Sequence, residues 1–411
     1  MSYDVYDILI LLCSITIGSY LFNVLSVKLR IPSVILLMSS GLLLRYVAKY
    51  FNIHIPPLQQ PLEFLGILGL ILIVLEGSLE LKISRQKGGM IFRSLLSAII
   101  ILLVTSFSIA YILFKMSDIE FINALAYAVP LGVISSAIAI PSAEALDVHK
   151  KEFIIYESTF SDICGIMLFN YVIADNILSG ASVGNFFFSL LLIIVISIIS
   201  TTLLLWLFNH LGGHTKIFLI FSLLILVYVF GKAFHLPSLL LILVFGIVIN
   251  NIQPYLTGRL QKFLHPEKLG PITAELKTMT AELAFLIRTF FFLIFGYHIN
   301  LHLLIEGDVI LTGSLITLVI LLIRAMTLRF VSHLNVFPEV FIAPRGLITV
   351  LLFYSIPAKL QTASFNEGVL TFVIIATAVI MMVGIMFSKR TVRSANQVLP
   401  IVENLPLKEK I

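Results

Sequence analysis

Glu157-Ser158-Thr159-Phe160-Ser161-Asp162-Ile163-Cys164-Gly165-Ile166-Met167-Leu168-Phe169 places a carboxylate, Asp162, deep inside an otherwise apolar run of membrane length. A charge at bilayer depth costs at least ~3 kcal/mol on insertion scales. Packing does not require that cost, so the group is read as one that binds a cation, carries a proton, or does both. Glu157 makes this the densest acidic spot in any hydrophobic segment. Ser158 and Asp162 are four residues apart and share a helix face. A hydroxyl and a carboxylate there offer hard oxygen ligands suited to an alkali cation. Glu157 points about 140° away from Asp162. It is either a second ligand or half of an ion pair that holds the core.

The rest of the chain is of the same kind. Of its 411 residues, 59% are hydrophobic and 12% charged, where soluble domains carry about 25% charge. The mean hydropathy is +1.08. The apolar runs suit helices of ~20 residues rather than alternating barrel strands. The expected fold is an all-α polytopic membrane protein. Its thirteen spans fall near 7–25, 32–48, 62–79, 91–114, 121–146, 152–174, 185–209, 215–233, 236–251, 279–298, 308–327, 336–357 and 366–388. The first lacks a basic leader and a cleavage site, so it is read as a retained helix. Residues 1–388 then form one transmembrane domain and 389–411 a short cytoplasmic tail. A loop from Asn251 to about Thr278 separates two halves.

Charge sets the orientation. Arg45, Lys49, Lys115, Lys232 and Lys359 lie on one side, and Arg288, Arg324 and Arg345 lie within spans. The remaining nineteen of the 27 Lys and Arg lie on the other side, which the positive-inside rule makes cytoplasmic. The N-terminus is then outside and the C-terminus inside. The basic pI of about 9.1 is a topology signal and implies no nucleic-acid partner. Cys13 and Cys164 make neither a disulfide framework nor a metal signature. The histidines lack ligand spacing. No phosphate loop or nucleophile elbow appears, so the chain is not read as an enzyme.

Two spans carry interruptions. The fifth contains Ala137-Ile138-Ala139-Ile140-Pro141 and the twelfth Ala343-Pro344-Arg345-Gly346. Proline removes a helix donor and frees a carbonyl. At membrane depth that is tolerated where the backbone lines a cavity or is covered by protein. Lying seven spans apart, the two run in opposite directions. An inverted repeat predicts this arrangement, with spans four to six matching eleven to thirteen. Paired broken helices point to a transporter site; the alternative is two ordinary proline kinks. Residues Ala139, Ile140, Pro141, Pro344 and Gly346 are the expected breaks.

The remaining charges have paired readings. Arg345 is the expected partner of Glu157. Glu76 lies near the cytoplasmic end of span three and either snorkels or reaches the site through water. Arg288, mid-span, balances a site carboxylate on another span or pairs locally with Glu282. Arg324 is expected to snorkel.

These residues resemble the monovalent cation:proton antiporter superfamily. Glu157-Ser158-x-x-Ser161-Asp162 is similar to its Glu-Ser-x-x-Asn-Asp motif, and Glu76-Gly77-x-Leu79 to its Phe-Glu-Gly-Gly-x-x-Leu. Arg288-Thr289-Phe290-Phe291-Phe292 resembles the Arg-Thr-Phe-Phe-Phe of archaeal-type sodium/proton exchangers. Pro344-Arg345-Gly346 resembles the Arg-Gly motif of the twelfth span. The resemblance implies exchange of Na+ or K+ for H+ by alternating access, with no cofactor beyond the transported ions. It assigns Asp162 as the shared carrier, Ser158 and Ser161 as ligands, Glu76 as a ligand through water, and Glu157–Arg345 as a core pair. It further implies a homodimer, a multi-pass protein of the cell's inner (plasma) membrane, and a part in pH homeostasis. Two departures stand out. Ser161 replaces the motif's Asn. Ala139-Ile140-Pro141 replaces Thr-Asp-Pro, leaving backbone carbonyls around Ala137–Ile140 as substitute ligands. Ser135-Ser136-Ala137 is closer to the potassium-efflux branch. A cation channel, and a degenerate antiporter fold acting as sensor or scaffold, are the rival functions.

Overall fold

Apolar runs of this length close their backbone hydrogen bonds internally, because lipid offers none. The computed structural model is accordingly helical, with no strand among the described residues. The structure describes residues 13–22, 24–25, 32–51, 59–81, 83, 85–117, 119–143, 146–173, 191–192, 195–203, 216–233, 238–251, 266–332, 337–362 and 364–387. The tail 389–411 and much of the expected seventh span lie outside them.

The described helices that build the fold include α1 (Cys13–Phe22), α2 (Ser33–Tyr50), α3 (Gln59–Glu80), α4 (Gly88–Met116), α5 (Phe121–Gly132), α6 (Ser136–Ala143) and α7 (Val148–Val172). They continue as α8 (Lys216–Ala233), α9 (Ser238–Asn251), α10 (Pro266–His298), α11 (Gly307–Phe330), α12 (Leu347–Tyr354) and α13 (Glu367–Phe387). Among the described residues six stretches are long and apolar enough to cross a bilayer: Ser33–Tyr50, Gly88–Met116, Phe121–Ala143, Thr273–His298, Gly307–Phe330 and Glu367–Phe387.

Packing sorts them into two bundles. In one, α3 packs on α9 and α10, and α10 on α2 and α8. In the other, α4 packs on α5, α7 and α11, α7 on α5 and α6, and α11 on α13. The bundles meet mainly where α3 touches α6, α7 and α12, and where α13 touches α2.

The loop expected up to Thr278 is shorter than that, because residues 266–278 form the first turns of α10. Pro266 stands at the first helical position, where a missing N–H costs nothing. Helix α7 begins earlier than the apolar pattern suggested, at Val148. Asp147 caps it, its side chain accepting from the Lys150 N–H at 3.1 Å, which satisfies one orphan donor of the first turn.

Candidate functional site

The fifth span is interrupted at Val133-Ile134-Ser135, between α5 and α6. The expected break at Ala139, Ile140 and Pro141 is therefore corrected: all three lie inside α6. Pro141 leaves the Ala137 carbonyl, four residues earlier, without its helix donor. Arg288 of α10 supplies one, its guanidinium donating to that carbonyl at 2.9 Å. A proline compensated in this way does not open the helix. It also commits the Ala137 carbonyl, one of the expected substitute ligands, to an arginine.

The true break exposes three consecutive backbone donors, and each finds a partner on the elements around it. Ile134 N–H donates to Ser161 Oγ at 2.9 Å. Ser135 N–H donates to the Pro344 carbonyl at 2.9 Å. Ser136 N–H donates to Asp162 Oδ2 at 3.3 Å. Val133 presses on Gly165 so closely that a Cβ there would collide with its side chain. The side chains on one face of α7 thus hold the break open.

The twelfth span breaks as expected at Pro344 and Gly346, with Ile342–Gly346 non-helical ahead of α12. Gly346 is required by proximity: a Cβ would meet Ile138 and the Ser135 hydroxyl oxygen. Arg345 is fully buried, and its guanidinium is spent on backbone. It donates to the carbonyls of Leu131 at 2.7 Å, Ala343 at 2.6 Å and Gly132 at 3.2 Å. Two of these close α5, whose C-terminal end carries a partial negative charge. The N-terminal end of α6, with the opposite partial charge, faces Asp162.

The expected Glu157–Arg345 pair is therefore also corrected. Glu157 Oε2 accepts from Arg324 at 2.9 Å, with both side chains essentially inaccessible. Arg324 does not snorkel, because the face of α11 that carries it turns into the bundle rather than toward lipid. Its Nε donates to the Glu339 carbonyl at 2.9 Å. The Glu339 carboxylate, itself buried, meets Lys150 at 2.6 Å. The four charges alternate in sign from the end of α7 inward. Glu339 and Lys150 were not picked out from the sequence, although Glu339 is the one acid of the expected twelfth span. That acid was the available signal.

Arg288 also reaches Glu76 of α3 at 3.2 Å. Arg288 thus meets a carboxylate on another span, and Glu76, read as snorkelling or as reaching the site through water, stands in that ion pair. Glu282 instead accepts from the Tyr20 hydroxyl at 2.7 Å. Ser158, fully buried, donates to the Ile154 carbonyl at 2.7 Å. Its oxygen retains lone pairs for a ligand.

Asp162 differs from its neighbours. It is 1% exposed, and its Oδ1 has no hydrogen-bond partner among the described residues. Around the two breaks, Glu76, Glu157 and Glu339 each have a cationic partner, and Asp162 has none among the described residues. No cluster of His, Cys, Asp and Glu among the described residues could hold a metal ion in the manner of a resident cofactor.

Comparison with known proteins agrees with this architecture. The family described as sodium/hydrogen exchanger, transmembrane, matches residues 10–392. No curated protein matches the sequence significantly. The sodium proton antiporter MjNhaP1 from Methanocaldococcus jannaschii, solved at pH 8, is similar in fold. Its TM-score is 0.66 at 18% identity, over 93% of this chain and 99% of that one. A second MjNhaP1 structure, from an electron-microscopy map, matches at TM-score 0.62 and 18% identity, over 93% of this chain and 95% of that one.

Proposed function

This chain belongs to the sodium/hydrogen exchanger family, and we propose that it exchanges Na+ or K+ for a proton by alternating access, with Asp162 as the shared carrier. It is a multi-pass membrane transporter, not an enzyme. The observation that carries the proposal is the isolation of Asp162. It is the buried carboxylate at the crossing of the two breaks that no described cation neutralises.

The chemistry follows from that isolation. A buried carboxylate with a free oxygen must be neutralised by something that arrives, either a proton or a monovalent cation. It cannot hold both, and competition for one site enforces exchange. Asp162 Oδ1 and the Ser158 oxygen supply side-chain ligands, and the Ser136 amide at the N-terminus of α6 holds the carboxylate in place. Ser161 serves by positioning the break. Glu76 acts through Arg288, which links α3 and α10 to α6 across the junction of the bundles. Arg324 neutralises Glu157 and so leaves Asp162 as the single titrating acid. Exchange is then one for one and electroneutral.

Alternating access is a movement of the bundle holding both breaks against the other, across their limited junction. The protein works as a homodimer in the cell's inner (plasma) membrane, with the tail 389–411 in the cytoplasm. The test is pH-gradient dissipation in proteoliposomes with lithium, sodium, potassium and rubidium. Gradient collapse by one or more of these ions supports exchange. Currents above carrier rates indicate a channel, and no response to any ion indicates a sensor or scaffold.

A further inference from the structure

A furrow of about 200 Å³ lies between α2 and α13 and ends against the link that follows α10. Ile35, Met38, Leu42, Ile299, Ile375 and Val379 are among its lining, which is almost wholly apolar. Its rims face lipid: Leu43 of α2 and Val379 of α13 are exposed. Furrows of this kind are common on membrane proteins, and what fills one is decided at its mouth.

The mouth here is basic. On α2 the lining positions 35, 38 and 42 continue at helical spacing to Arg45 and Lys49, so the apolar stripe and both cations share one face. Arg45 donates to the carbonyl of Ile299, a residue that itself lines the furrow. No carboxylate among the described residues pairs with Arg45. The same helix end carries Tyr46, Tyr50 and Phe51, all exposed. Exposed aromatics beside lysine and arginine mark headgroup level. An apolar slot that opens at headgroup level beside a guanidinium matches one amphipathic anion. A guanidinium binds phosphate bidentately.

We propose that this furrow binds an anionic phospholipid, one acyl chain lying along α2 and α13 and the phosphate on Arg45. From Ile35 to Leu42 the slot is ~10 Å long at 1.5 Å per residue, enough for part of a chain, with the remainder in the bilayer. The site bridges the two bundles, since α2 belongs to one and α13 to the other.

Thermal unfolding of the purified full chain in detergent tests the proposal, with phosphatidylglycerol or phosphatidylcholine added. The readout is binding and does not depend on exchange. Phosphatidylglycerol is expected to raise the midpoint by about 3–5 °C more than phosphatidylcholine, since a ligand of the folded state stabilises it by mass action. Arg45→Gln should remove at least half of that difference, and Leu42→Trp, which fills the slot, should remove all of it. Each variant is compared with its own lipid-free midpoint, so a change in intrinsic stability does not obscure the result. Glycerol 3-phosphate, a headgroup without chains, should give no shift. Equal responses to the two lipids would overturn the proposal. So would a phosphatidylglycerol response kept in either variant, or reproduced by glycerol 3-phosphate.

Discussion

Glu157 and Asp162 stand five residues apart on α7, both buried, and their surroundings differ in kind. Glu157 is paired with Arg324, and beyond Arg324 the Glu339 carboxylate is paired with Lys150. Around Asp162 there are backbone amides, hydroxyls and a free oxygen. A buried acid with a cation in hydrogen-bond contact is part of the framework. A buried acid whose described partner is the weak positive end of a helix has no fixed counter-charge, and in the proposed function that is what lets it exchange one small cation for another. Under the proposed function the two surroundings divide the labour of a single helix.

The hardest test of this division is Asp162→Asn. It keeps the shape and the Ser136 hydrogen bond but removes the titrating charge. Exchange in proteoliposomes should disappear while gel filtration and thermal unfolding stay close to wild type. Residual exchange at the wild-type rate would end the comparison, because Asp162 would then be framework too.

Next in size is the pairing of Glu157. Arg324→Gln should cost ~3–5 kcal/mol, the range for a buried pair broken on one side. The double variant Glu157→Gln/Arg324→Gln should recover most of that loss. Glu157→Gln alone should lose stability as well, and adding Arg345→Gln to it should recover none of that loss, because Arg345 holds carbonyls. Unfolding midpoints of these proteins decide the matter, and a rescue by Arg345→Gln would reassign the pair.

The third prediction concerns pH. A proton on Asp162 removes the negative charge that the cation needs, so apparent cation affinity should weaken as pH falls. For one-for-one competition the apparent Michaelis constant should rise about tenfold per pH unit in the range where the proton occupies the site. A constant that stays flat across the active range would place proton and cation on separate groups, with Glu157 the first to examine.

The smallest effect is expected at Arg288 and Glu76. Their pair retains side-chain exposures of 12% and 23%, and partly solvated pairs are worth ~1 kcal/mol or less. Glu76→Gln should therefore lower stability only slightly and alter the exchange rate by a few-fold. A complete loss of exchange with normal folding would move Glu76 from the bundle junction into the ion site itself.

Much of this was legible in one dimension. An acid in an apolar run is conspicuous because lipid penalises it, so Asp162 could be found by hydropathy alone. Pro344-Arg345-Gly346 likewise marked its break, since neither the proline nor the arginine suits an isolated membrane helix. What misled was proline in the fifth span. Pro141 looked like the interruption, yet the helix continues through it because Arg288, some 150 residues away, donates to the orphaned Ala137 carbonyl. The real interruption, Val133-Ile134-Ser135, contains no proline. Three donors from the break are matched by Ser161, Pro344 and Asp162, none of which is local to it.

The arginines make the same point. Sequence alone determined that Arg324 and Arg345, with Glu157, could not sit in lipid unsatisfied, since the desolvation cost attaches to the residue wherever it lies. It also determined a helical, membrane-spanning chain with an acid at its centre, because hydropathy and backbone satisfaction are local requirements. Which arginine meets Glu157 was decided by the packing of α11 against the bundle and by the extended stretch ahead of α12. Hydrogen bonds and ion pairs act over a few ångströms, and only the fold brings residues from the two ends of the chain that close. Tertiary structure gave Arg324 to the carboxylate and Arg345 to the open end of α5, and by spending both it left Asp162 without a cationic partner among the described residues.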